Sequence, residues 1–268
     1  MIIYWLYFLF PAILALAGKS RISKTLSGNQ SLRFGGLWWF FVTALTLLIG
    51  LRHEVGGDWK NYIRIFSESS QISSISFQTD PGYQIINYIS SELGFGIYGV
   101  NLFCAFIFSI GLSLFCRSLP RPLLGLAVAI PFLVVVVSMG YTRQAVALGF
   151  AMIGLVFLGR DKKLSFVCNI ILAATIHKSA ILLLPISVLA STKNRLWGLV
   201  WIGIVAISLF IVFVADVISN MITNYSDLDD PASQADGAFI RLAMNLVPSV
   251  IFLLFRKRFN MPDLEKSL

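Results

Sequence analysis

Charge is what this chain has least of. Of its 268 residues, 13% are Asp, Glu, Lys or Arg, while 57% are hydrophobic and the mean hydropathy is +0.81. A soluble domain carries about 25% charged residues. A core of this size cannot hide so much apolar surface, so lipid must cover it. Cysteine is scarce too. Cys104, Cys116 and Cys168 all fall in apolar runs. Cys104 and Cys116 stand on one candidate helix, ~18 Å apart at 1.5 Å per residue, and cannot pair, so the thiols read as buried packing. Histidine occurs only at 53 and 177, which offers no metal cluster. Also missing are a glycine-rich nucleotide loop, calcium-loop spacing among Asp227, Asp229 and Asp230, an internal repeat and any low-complexity tract. No polar stretch is long enough for a second domain, and residues 1–268 read as a single membrane domain.

The net charge of +8 would suit nucleic acid, but basic residues of a membrane protein gather on its cytoplasmic side. Their placement favours that reading, and no nucleic-acid partner is expected. Ala15-Leu16-Ala17 resembles a signal-peptide cleavage site, yet Lys19, Arg21 and Lys24 follow the apolar run instead of preceding it. A signal peptide has the opposite order. Residues 2–18 are therefore expected to be a retained helix with its N-terminus outside.

Apolar runs of ~20 residues mark spans, and Lys and Arg in the loops orient them. The runs predict an all-α, polytopic integral membrane protein of about eight transmembrane helices: 2–18, 34–51, 97–116, 122–138, 140–159, 164–176, 197–218 and 239–255. A short run at 179–191 follows the sixth and suits a partly re-entrant hairpin, tolerated where protein or water covers its backbone. Two loops are external, 52–96 and 219–238. The first is too long for a bare connection. Its amphipathic stretches, Trp59 to Phe66 and Tyr83 to Leu93, predict short helices at the interface, broken apart by Pro81-Gly82. The acidic loop 219–238, with Asp227, Asp229, Asp230 and Asp236, reads as solvated.

Six cations break the orientation rule by lying outside: Arg52, Lys60, Arg64, Arg143, Lys178 and Arg241. Arg52, Arg143 and Arg241 each sit at a helix end on one membrane level. Three guanidiniums there would form an anion site with fork geometry suited to phosphate; the plainer alternative is snorkelling to lipid headgroups. Arg143-Gln144 opens a run free of charge until Arg160, so Arg143 needs a partner or ligand. Asp58 and Glu54 are the acids nearest Arg52, and Gly56-Gly57 lets the chain turn back. Either carboxylate can serve as a general base on a hydroxyl, or Asp58 can simply pair with Arg52. His177, beside Lys178, is open to a structural or a catalytic role.

Four segments resemble one family. Arg52 with Val55-Gly56-Gly57-Asp58 and Tyr62 resembles the "R..VG.D...Y" segment of the EpsG/Wzy-like polysaccharide polymerases. Arg143-Gln144 with Ala147 is similar to its "RQ..A" segment, and Ala173 through His177 and Ser179 to its "A...H.S" segment. Asp80-Pro81-Gly82-Tyr83 resembles its "(E)PGY", in order between the first two. The resemblance covers about 35–190, with a weaker echo at Arg241. Members of that family continue for several helices beyond this length.

The resemblance implies a multi-pass protein of the bacterial inner membrane. It would join oligosaccharide repeat units carried on undecaprenyl diphosphate at the external face, with the lipid diphosphate as leaving group. Its partners would be that lipid-linked oligosaccharide, the bilayer, and a chain-length regulator with other assembly proteins. Guanidiniums would take the place of a metal, and no cofactor is expected. The expected roles put Arg52, Arg143 and Arg241 on the diphosphate and Gln144 and Tyr62 on sugar, with Asp58 or His177 as base. Two alternatives use the same substrate class. A ligase would also want external Arg and His, and its loss would leave no repeat unit on the acceptor. A transporter or flippase should place charge near the midplane on broken, repeated helices, which the clustering at one face disfavours.

Overall fold

In a computed structural model, residues 2–17, 34–69 and 80–184 are described, together with the isolated positions 200, 203, 246 and 250. By its contacts the chain divides into two units, Met1–Ser187 and Val188–Leu268. The elements below all belong to the first. Every described element is helical, with no strand among the described residues.

The apolar runs become α1 (Ile2–Ala17), α2 (Gly36–Gly50), α5 (Gly96–Ser118), α6 (Pro122–Ala129), α7 (Thr142–Leu158) and α8 (Lys163–Ile176). The two amphipathic stretches become α3 (Trp59–Glu68) and α4 (Pro81–Glu92). Pro81 stands at the first position of α4, where its missing N–H costs nothing. The expected spans 197–218 and 239–255, the acidic loop 219–238 and Arg241 lie outside the described residues, apart from helical single positions within the two spans.

One local expectation is corrected. The second half of the run 122–138 is not α-helical: Ile130–Ser138 is a nine-residue π-helix. The run after α8 begins with a 3-10 helix, Lys178–Leu183, because His177 takes an extended backbone (φ −150°, ψ 107°) and ends α8.

α5 is the axis of the unit, and α2, α4 and α7 pack against it. Its contact with α7 is made backbone to backbone. A Cβ on Gly111 would overlap the carbonyl of Gly149, and one on Gly149 would come within 2.8 Å of Phe108 Cα. Small residues let apolar helices approach this closely. Gly50 does the same for α2, where a Cβ would come within 2.8 Å of Leu102 Cα. Phe108, Leu112, Leu45 and Ile49 fill the core around these contacts. α1 and α2 interlock through rings, with Phe10 centred 5.8 Å from Phe40 and 5.7 Å from Phe41. Tyr7 also donates to the Ala44 carbonyl at 3.0 Å.

The outer surface is as apolar as the core. Trp5, Leu16, Trp39, Phe40, Phe103, Val128 and Leu164 are all exposed. A soluble monomer does not carry an apolar surface of this extent. Cys104 and Cys116 are buried, whereas Cys168 is exposed on the outer face of α8, contrary to the reading of three buried thiols. Among the described residues one helix, α5, is long and apolar enough by itself to cross a bilayer, with a mean hydropathy of 2.0. The other apolar helices are shorter. α2 has 15 residues and reaches about 22 Å at 1.5 Å per residue, against a hydrocarbon core of about 30 Å.

Candidate functional site

The site is built where four helix ends meet. Gly82 is the reason α4 arrives there. A Cβ on Gly82 would lie 2.6 Å from Thr175 Oγ1 and 3.0 Å from the Thr175 carbonyl oxygen. Only glycine lets the first turn of α4 rest on the last turn of α8. That contact brings Asp80, just before α4, close to His177, just after α8.

Asp80 holds the N-cap position of α4 but makes no capping hydrogen bond with its side chain. Its carboxylate turns instead to α7, where Arg143 Nη1 donates to Asp80 Oδ2 at 2.8 Å. The side chains are 12% and 29% exposed for Asp80 and Arg143 respectively. A charge-assisted pair in that setting is screened less than one at the surface. The Arg143 guanidinium also lies over the Tyr62 ring, 5.9 Å from its centroid, a cation–π geometry. The partner that Arg143 requires is thus supplied by two elements of the long loop, Asp80 from α4 and Tyr62 from α3. Tyr62 in turn meets Tyr83 edge to face, with ring centroids 5.9 Å apart.

Electrostatics at this cluster follow from burial and from Arg143. Burial pushes the His177 imidazole below its ordinary value. The Arg143 charge acts the same way, and Asp80 opposes both. Burial raises the Tyr62 phenol, with Arg143 pulling it back. Burial also raises Tyr83 well above the usual phenol range. His177 is therefore a neutral, half-buried base facing a fixed guanidinium.

Arg52 behaves differently. It is 5% exposed, and its Nη1 donates to the Ser138 carbonyl at 2.9 Å and the Ile49 carbonyl at 3.3 Å. Its Nη2 donates to Thr142 Oγ1. The guanidinium thus ties the end of α2 to the end of the π-helix and to the first residue of α7, next to Arg143. Among the described residues no carboxylate lies within ion-pair distance of it, so the expected pairing with Asp58 is not what holds this loop. Packing does that: a Cβ on Gly56, whose φ is +99°, would come within 2.7 Å of the Met139 carbonyl oxygen. Asp58 is half-buried at the start of α3, where its carbonyl accepts from Tyr62 N at 3.0 Å. Gln144 is exposed in the first turn of α7.

The helix ends therefore bring together Arg143, Tyr62 and His177, place Arg52 one residue from Arg143 but facing inward, and leave Asp58 and Gln144 at the margin. Reasoning from sequence missed Asp80 as a site residue. Its signal was present, since it opens the Asp80-Pro81-Gly82-Tyr83 segment and Arg143 lacked an acid. His53 stands apart from this cluster, with its Nδ1 2.6 Å from the Tyr98 hydroxyl and its Nε2 4.0 Å from Glu54 Oε1. Among the described residues no three His, Cys, Asp or Glu side chains gather as a metal would need.

A family model described as the EpsG family matches residues 36–267. The match extends well past the segment 35–190 that carries the four motifs. No curated protein and no solved structure matches the chain.

Proposed function

We infer the function from one premise: the chain belongs to the EpsG family. Membership makes it a membrane protein with a role in polysaccharide biosynthesis. Beyond that, we propose a polymerase that joins oligosaccharide repeat units carried on undecaprenyl diphosphate. In this reading the chain crosses the bacterial inner membrane about eight times, and the Arg143 cluster faces the outside.

The observation that carries the proposal is the Arg143 guanidinium, fixed by Asp80 at 2.8 Å beside a half-buried His177. When the glycosidic bond to diphosphate breaks, its electron pair goes to the phosphate oxygen and negative charge grows there. A preorganised guanidinium stabilises that charge without reorganising, and its planar fork matches two phosphate oxygens. The attacking sugar hydroxyl forms the new bond to the anomeric carbon and gives its proton to a ring nitrogen of His177. That nitrogen is free to accept because His177 is neutral. Asp58 is the second candidate base. In this reading Tyr62 and Gln144 would contact sugar, and Arg241 would add a second cation to the diphosphate. Arg52 acts through the first turn of α7, since it is buried and its Nη1 and Nη2 donate to Ser138, Ile49 and Thr142.

Replacing Arg143 by Ala, and separately by Lys, in a host that makes a long surface glycan tests this reading. Both variants should insert in the membrane, and the glycan ladder should collapse to single repeat units in the Ala variant. A full ladder from the Ala variant overturns the proposal.

A further inference from the structure

α5 and α7 run side by side in the same direction. Thr142 Oγ1, at the start of α7, stands 3.5 Å from Asn101 Oδ1 near the start of α5. Further along both, Gly149 lies against Phe108 and Gly111. The two helices therefore finish at the same end of the unit, α5 at Ser118 and α7 at Leu158. α7 has 17 residues, which puts this end about 25 Å from Arg143 at 1.5 Å per residue.

Each finish carries a half-buried arginine. Arg117 sits in the last turn of α5, where the helix dipole favours a cation. Its Cζ lies 5.2 Å from the centroid of the Phe34 ring, just before α2. Arg160 follows α7 in a turn closed by two backbone hydrogen bonds, from Asp161 N to the Leu158 carbonyl at 2.9 Å and from Lys162 N to the Phe157 carbonyl at 3.0 Å. This is the Schellman pattern, with Asp161 in the left-handed position at φ +62°. The turn holds Arg160 within electrostatic reach of Arg117, like charge against like. Arg121, Lys162 and Lys163 are exposed on the same two turns, and Asp161 is the one acid among them.

Holding two guanidiniums together is unfavourable unless an anion answers them. The neighbouring side chains say which kind. Leu124, in the first turn of α6, and Leu164, in the first turn of α8, are exposed at this end, Leu164 to 77%. A free phosphate or an acidic peptide gains nothing from exposed leucines. A phospholipid has a phosphate for the guanidinium forks and acyl chains for the leucines.

We propose that this end of the unit binds the headgroup of an anionic phospholipid, with its phosphate held by Arg117 and Arg160 and its acyl chains along Leu124 and Leu164. The site is separate from the Arg143 cluster and stands whether or not the chain is a polymerase. With Arg143 facing outside, the bound lipid belongs to the inner leaflet.

Native mass spectrometry of the full chain tests this. The protein is released from nanodiscs holding equal phosphatidylglycerol and phosphatidylcholine, and the lipid that stays bound is counted. Phosphatidylglycerol should be retained in excess. Arg117→Gln with Arg160→Gln should lower its binding roughly thirtyfold, the effect of two charges near an anionic surface. Either single variant should lower it roughly fivefold, and decides the matter where the double variant fails to fold. Arg64→Gln, exposed on α3, should change nothing. Equal retention of the two lipids, or an undiminished preference in the folded Gln variants, overturns the proposal. Displacement of the lipid by an equimolar polyglutamate peptide overturns it too, and would assign this end to an acidic protein.

Discussion

The carboxylate of Asp80 does not cap the helix it begins; it takes a 2.8 Å hydrogen bond from Arg143, 63 residues further along the chain. A helix start thereby gives up a local hydrogen bond to fix a cation on another helix. The arrangement makes Asp80 the residue on which the charge geometry of the site turns.

Asp80→Asn should keep the shape and remove the charge. A hydrogen bond to a charged group contributes about 1.5–3 kcal/mol, and the variant should lose a stability of that order. Thermal unfolding in detergent, beside the wild type, measures it. Glycan polymerisation should fall even where the protein level is unchanged, because Arg143 is no longer held.

The pH dependence has a definite sign. His177 is held below its ordinary value of 6.5, chiefly by burial. A base of that kind stays neutral to lower pH, so the acid limb of the polymerisation rate should lie below pH 6.5 and vanish in His177→Gln. Asp80 raises the imidazole, so Asp80→Asn should move the limb further down. Stability follows by linkage: the unfolded chain takes up the proton first as pH falls through 6.5, and the folded state loses stability there.

Arg52 and Arg143 should separate in experiment. Arg52→Lys cannot reach Ser138, Ile49 and Thr142 together, since an ammonium lacks the planar fork. It should lower the melting temperature and reduce polymerisation without moving the acid limb. Arg143→Lys keeps a cation on a more exposed side chain and should leave the melting temperature close to wild type while the rate falls.

At the α5–α7 crossing, Gly111→Ala places a methyl group on the backbone of Gly149. Overpacking of this kind costs about 1–3 kcal/mol. Gly149→Ala should cost a similar amount, and the double variant less than the sum, because either methyl alone forces the helices apart. Melting curves of the three variants decide it.

Much of this fold could be read from the chain. The apolar runs located α1, α2, α5, α7 and α8, and the amphipathic stretches located α3 and α4, because hydrophobic period and length are local properties. The π-helix could not be read, since a run such as Val134-Val135-Val136-Val137 has the same composition in either helix. Arg143 and His177 stood out as polar groups at the ends of apolar runs, and Tyr62 through the family resemblance. Asp80 opens the Asp80-Pro81-Gly82-Tyr83 segment, but that segment alone does not report its pairing with Arg143, which depends on Gly82 resting on Thr175. Nor could the inward turn of Arg52 be read, since nothing in a loop sequence reports which way a side chain is buried.

The π-helix from Ile130 to Ser138 bears on how this family can vary. A π-helix takes one more residue per hydrogen-bonded ring than an α-helix, so it works as a phase adjuster in front of α7. If the same nine residues wound as α-helix, each would turn by about 100°, more than in the wider π-helix, and everything after them would face another way. Arg143 would swing off Asp80, and the Ser138 carbonyl would leave Arg52, while every apolar run kept its length and hydropathy. The chain would still look like the same membrane protein on composition alone, with its site dismantled by a change of winding.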